Sequence, residues 1–126
     1  MQYLLDSQIL IWLLSDSKKV NKNLLTVLED SANTVYYSSV SIAELYIKVS
    51  QNKLILPKLF LEHLTDLNFI ELPLKCNHLI KLLSLPYHHK DPFDRFIICQ
   101  GMVENLTIVS SDAVFSNYNV KLVSPL

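Results

Sequence analysis

A chain of 126 residues, half of them apolar, is long enough for one domain with a real core. One glycine in that length excludes a glycine-rich phosphate loop and argues against a glycine-rich all-β protein. The net charge of −1 argues against a broad nucleic-acid-binding surface, though not against a local basic rim.

The positive mean hydropathy points to apolar surface covered by a partner or a second copy. Cys76 and Cys99 lie in apolar segments without paired spacing and read as buried free thiols of a reducing compartment. The N-terminus has no basic leader region, and Asp6 interrupts its apolar run. The apolar stretch 9–14 is too short to span a bilayer. The expectation is a soluble, cytoplasmic protein with no membrane association.

In chain order, residues 2–5 suit a buried strand with Asp6 at its C-terminal end. Ser7 is placed to cap a helix over 9–14, broken around Ser15-Asp16-Ser17. Val20, Leu24, Leu25, Val27 and Leu28 make a helical stripe within 18–31. Thr34 to Tyr37 predict a strand over 33–38. Ile42, Leu45, Tyr46 and Val49 share a helical face over 41–53. Ser41 and Glu44 fit a capping box there, and Asn52 fits a left-handed turn at the end. A helix over 57–66, a strand over 68–72 and a helix over 74–85 stopped by Pro86 follow. Pro92 opens a helix over 92–104, with Asp91 as N-cap and Asp94 near its third position. Strands over 106–109 and 120–123 flank a short helix over 111–116. Short apolar strands alternating with helices predict an α/β fold: a parallel sheet covered on both faces, in one domain over 1–126.

Four acids stand at the edges of these apolar segments. Asp6 ends the first strand, Glu44 lies one turn into the helix after the second, Asp94 starts the helix before the fourth, and Asp112 follows that strand. In open parallel sheets, functional groups gather beyond the carboxyl ends of the strands. Four carboxylates in one cleft repel one another unless a cation sits among them. Hard oxygen donors suit Mg²⁺ or Mn²⁺, which can activate water at a phosphodiester. Each acid also has a structural reading: Asp6 could cap the first helix, Glu44 could pair with Lys48 at i+4, and Asp112 could balance a helix dipole. No Ser-His-Asp, Cys-His or zinc-type spacing competes with the metal site.

These residues resemble the PIN-domain ribonucleases, and among them the VapC-type toxins of type II toxin–antitoxin pairs. The resemblance rests on Tyr3-Leu4-Leu5-Asp6-Ser7 with Leu10 to Leu14, on Ser39 to Leu45 with Ile47-Lys48, on Leu85 to Arg95, and on Ile108 to Asp112 with Phe115 and Tyr118. The His89-Lys90-Asp91-Pro92-Phe93-Asp94-Arg95 stretch is the most specific. The resemblance implies a PIN-like three-layer α/β/α fold in which Asp6, Glu44, Asp94 and Asp112 are the catalytic, metal-binding acids. Ser7 keeps the hydroxyl where threonine is usual, and Ser110 could hold a metal-bound water or orient Asp112. Asp91 belongs to the motif, with N-cap as its first role. Gln8, Asn52 and Gly101 depart from the common His, Gly and Ala. The resemblance also implies Mg²⁺ or Mn²⁺ as cofactor, an RNA substrate cut to a 3′-hydroxyl, a homodimer, and a cognate antitoxin over the cleft.

Lys48, Lys90 and Arg95 could contact RNA phosphates, and Arg95 could instead pair with a carboxylate. His88 and His89 read as exposed loop residues, because Mg²⁺ prefers oxygen. Two alternatives stay open: a receiver-like phospho-acceptor domain, and a PIN-like module that binds RNA or protein without cleavage. The receiver pattern wants a central strand ending in Asp, which this chain lacks.

Overall fold

The computed structural model of the chain describes residues 1–126. Five strands, β1 (Gln2–Leu5), β2 (Thr34–Ser38), β3 (Ile70–Leu72), β4 (Thr107–Val109) and β5 (Lys121–Val123), form one parallel sheet in the order β3-β2-β1-β4-β5. Six helices flank it: α1 (Ser7–Ser15), α2 (Lys22–Glu29), α3 (Ser39–Ser50), α4 (Phe60–Asp66), α5 (Cys76–Ile80) and α6 (Pro92–Val103). β1 is central because its side chains have apolar layers on both sides. Tyr3 and Leu5 face one layer, with Val35, Tyr37 and Val109, against Ile9, Leu10, Leu24, Leu28, Leu45 and Leu64. Leu4 faces the other, with Leu72 and Ile108, against Ile97, Ile98 and Cys99 of α6. This period-two alternation under two helical layers is the predicted α/β/α arrangement.

Strand order reverses between β1 and β4. Leu5 stands opposite Tyr37 on one side and Val109 on the other, so three strands end at the same level. The Asp6 N–H extends the ladder to the Val109 carbonyl at 3.1 Å. A crevice opens at such a switch point.

Most elements fall where the periodicity predicts, and the differences lie at their ends. Asp6, not Ser7, caps α1. The helix expected over 18–31 is a 3-10 turn, Ser17–Lys19, followed by α2, because Asn21 Oδ1 accepts from the Leu24 N–H at 2.7 Å and starts a new helix. Ser38 caps α3, so Ser41 and Glu44 lie inside the helix and form no capping box. Pro57 precedes α4 rather than opening it, because Leu59 takes φ 58° and interrupts the turn. Asn68, at φ 62°, delays β3 to Ile70. The 74–85 segment is α5 plus a 3-10 turn, Lys81–Ser84, and the expected 111–116 helix is a 3-10 turn, Ala113–Asn117. Cys76 is exposed at the start of α5, contrary to the buried reading, whereas Cys99 is buried. Gly101 does not simply loosen α6: a Cβ there would meet Ile108 Cδ1 at 2.8 Å, so the missing side chain lets α6 lie on β4. No helix is long and apolar enough to cross a membrane.

Candidate active site

Asp6, Asp91 and Asp112 each meet a local backbone need by capping a turn or helix, whereas Glu44 and Asp94 are held by side chains. Asp6 caps α1, its Oδ1 accepting from the Ile9 N–H at 3.1 Å, while Ser110 Oγ donates to its Oδ2. Asp112 caps the turn at Ala113–Asn117, accepting from the Val114 N–H at 3.0 Å; its own N–H donates to Ser110 Oγ at 3.0 Å. Ser110 therefore ties the acid after β1 to the one after β4. Asp91 caps α6 through the Phe93 N–H at 2.9 Å, with Pro92 at the first helical position. Asp94 stands in the same first turn. Glu44 projects from α3, accepting from Ser7 Oγ at 2.7 Å and pairing with Lys48 Nζ at 3.2 Å. The structural readings of Asp6, Asp91 and the Glu44–Lys48 pair thus hold alongside the site, since a cap uses only part of a carboxylate.

Asp6, Glu44, Asp94 and Asp112 line one cavity of about 290 Å³, with Ser7, Lys48 and Asp91 on its walls. A larger groove, about 700 Å³, lies elsewhere and is apolar, walled by Val49, Leu54, Ile55, Leu59 and Phe60. The candidate acids gather in the smaller one. Burial, then the charge of Asp91, then that of Glu44 push the Asp94 carboxyl up to about 6, against the opposing pull of His89. Burial likewise raises Asp6, although the hydrogen bonds from Ser110 and Ile9 oppose it; the charges of Asp112 and Glu44 raise it further. A pocket of hard oxygen donors in which the Asp6 and Asp94 carboxyls resist ionisation fits a divalent cation, which would offset the crowding of negative charge.

Two expectations about neighbours change. Arg95 is buried and reaches neither phosphate-accessible rim nor carboxylate. Its Nη1 donates to the Pro86 carbonyl at 2.7 Å and to Tyr118 Oη at 3.3 Å; Nη2 donates to the Leu85 carbonyl at 3.3 Å. Its guanidinium also lies 3.9 Å from the Tyr87 ring centre. It clamps the loop that precedes α6, a task for a rigid five-donor fork. His89 on that loop is half-buried, not free in solvent, and its Nε2 is hydrogen-bonded to Asp94 Oδ2 at 3.0 Å. His88 is exposed, as expected, and stacks edge-on against Tyr118.

Sequence reasoning also missed Gln100. It is fully buried, accepting from Ser38 Oγ at 2.5 Å and donating to the Leu72 carbonyl at 3.2 Å, and so joins α6 to the ends of β2 and β3. A polar amide inside the otherwise apolar run Phe96 to Val103 is the signal that could have found it.

A parallel α/β sheet with acids converging at its switch point belongs to the open-sheet class of folds that bind ligands beyond the carboxyl ends of their strands. The order β3-β2-β1-β4-β5 departs from the 2-1-3-4-5 order of receiver-like domains, which removes that alternative. The family model of the PIN domain matches residues 3–121, and the chain belongs to the PIN domain family. It is similar to a chain of VapBC2 from Rickettsia felis, solved bound to a promoter DNA fragment, at 20% identity and TM-score 0.73 over 98% of both chains. It is also similar to a chain of DNA-bound VapBC from Salmonella typhimurium, at 14% identity and TM-score 0.73 over 100% of this chain and 99% of that one. A chain of FitAcB from Neisseria gonorrhoeae gives 22% identity and TM-score 0.61 over 98% and 97%. No curated protein matches in sequence.

Proposed function

We propose that this PIN domain is a divalent-metal-dependent endoribonuclease of the VapC toxin type, working at the cleft of Asp6, Glu44, Asp94 and Asp112. The observation that carries the reading is that acids from four separate segments line one cavity, where burial and neighbouring carboxylates raise the pKa of Asp6 and Asp94. Mg²⁺ or Mn²⁺, held by these four carboxylates, would supply a more acidic water and positive charge beside the scissile phosphate. The chain's own residues prepare that chemistry. Ser110 fixes the Asp6 carboxylate, and Ser7 fixes that of Glu44. Asp91 holds the first turn of α6, and with it the backbone of Asp94. Lys48 sits on the cleft wall next to Glu44, where it can meet an RNA phosphate.

The VapBC neighbours are solved as complexes. We extend to this chain a cognate antitoxin that covers the cleft, and a homodimer. Exposed Tyr46, Ile47, Val49, Ile55 and Leu59 offer apolar surface for such contacts. Freed of co-purifying protein, the chain should make discrete cuts in a mixture of transfer and ribosomal RNA when Mn²⁺ or Mg²⁺ is present. EDTA should abolish the cuts, and Asp94→Asn should lower the rate at least about a hundredfold. Metal-independent cutting, or full activity in Asp94→Asn, would contradict the proposal.

A further inference from the structure

We infer that His89 is a nitrogen donor to the ion of this cleft, acting with Asp94 and Asp112, and that it biases the site towards Mn²⁺ over Mg²⁺. The inference rests on the metal-dependent reading above and adds a residue that no acidic motif supplies. Its basis is geometric. One ligand-capable atom from each of His89, Asp94 and Asp112 falls within a 4.8 Å span. His89 Nε2 and Asp94 Oδ2 are 3.0 Å apart. Two donors on adjacent positions of an octahedral ion, each about 2.1 Å from it, are also separated by about 3.0 Å. The pair's separation therefore suits a shared cation in place of the shared hydrogen, with the imidazole proton carried on Nδ1 and any proton between the two groups released to solvent.

The loop that presents His89 is not left to drift. Buried Arg95 holds the Leu85 and Pro86 carbonyls from within α6, and the Asp91 cap fixes the other end. His88, on the same loop, packs on Tyr118 and faces no acid. The sequence offers two adjacent histidines, and the fold lays the exposed one on Tyr118 and turns the other to Asp94. An imidazole nitrogen is a softer donor than a carboxylate or water. Mg²⁺ keeps to oxygen, whereas first-row transition ions accept nitrogen.

The test is pulsed electron paramagnetic resonance of the apo protein loaded with MnCl₂, with Mn²⁺ and Mg²⁺ dissociation constants measured alongside. Nitrogen modulation is expected in the wild type, with its pattern changed by ¹⁵N-histidine labelling. It should vanish in His89→Ala and in His89→Gln, which keeps a hydrogen-bond donor for Asp94, and survive in His88→Ala. His89→Gln should weaken Mn²⁺ at least about tenfold, the usual scale for a lost ligand or its support, and leave Mg²⁺ within about twofold. Mn²⁺ bound in the wild type without nitrogen modulation would overturn the role of His89 and leave the acidic site standing. Mn²⁺ that fails to bind, or binds as well to Asp94→Asn, would overturn both this inference and the metal site beneath it.

Discussion

At Asp94 the folded chain holds a carboxylate that it would rather keep protonated. The folded pKa of about 6 lies above the ordinary 3.8, so the acid form is favoured by folding. Its contribution to stability is therefore present below about pH 4 and is lost as the pH rises through about 6. Above that the ionised group opposes folding until a cation joins it. In EDTA at pH 7, Asp94→Asn should stabilise the protein by about 1–2 kcal/mol, the shift being discounted for the water that reaches the site. Denaturant titration checks this, and the gain should fade at pH 4. The cap at Asp91 was legible in the sequence because Asp-Pro at a helix start has a single backbone logic. The role of Arg95 was not. Its partners are carbonyls of its own preceding loop, and no spacing rule separates a buried clamp from a phosphate contact. Arg95→Ala should cost about 2–4 kcal/mol in thermal or denaturant unfolding, with Arg95→Lys giving little rescue, because several buried acceptors lose their donor.

On the scale of elements, the chain ends helices without glycine. Asn52, Asn68 and Asn105 take φ of 57°, 62° and 55° just beyond α3, α4 and α6. In each case the next N–H returns to a carbonyl of the last turn: Lys53 to Lys48 at 2.9 Å, Phe69 to Leu64 at 3.1 Å, Leu106 to Gly101 at 2.9 Å. Asparagine tolerates this left-handed position best after glycine. Asn105→Ala should therefore cost about 1 kcal/mol, and Asn105→Gly should stay within a few tenths, both read from unfolding midpoints. Asn52 was identifiable because it follows a clear helical stripe. Helix starts were less legible: Ser38 won over Ser41 at α3 because β2 already ends there, and only tertiary pairing sets that end. Leu59 at positive φ carries no residue signal at all.

For the whole molecule, the alternation of short apolar strands with helices sufficed for the layers and the parallel sheet. Strand order was less accessible, since any parallel order satisfies the same periodicity. Yet it is the order that creates the site: β1 at the centre, with β2 and β4 on either side, brings the ends of three strands and the start of α6 together. The four acids could be singled out from their places at strand and helix ends. The contact of His89 with Asp94 could not, because it depends on a loop path set by a buried arginine.

The central claim is that four acids from four segments make one cation site, and calorimetric titration of the metal-free chain with MnCl₂ at pH 7 tests it most directly. Wild type should show saturable binding that releases protons. Asp6→Asn, Glu44→Gln, Asp94→Asn and Asp112→Asn should each weaken it by about tenfold or more, while Glu62→Gln, in the apolar groove, should leave it unchanged. Binding that survives all four substitutions would place the ion elsewhere and contradict the account.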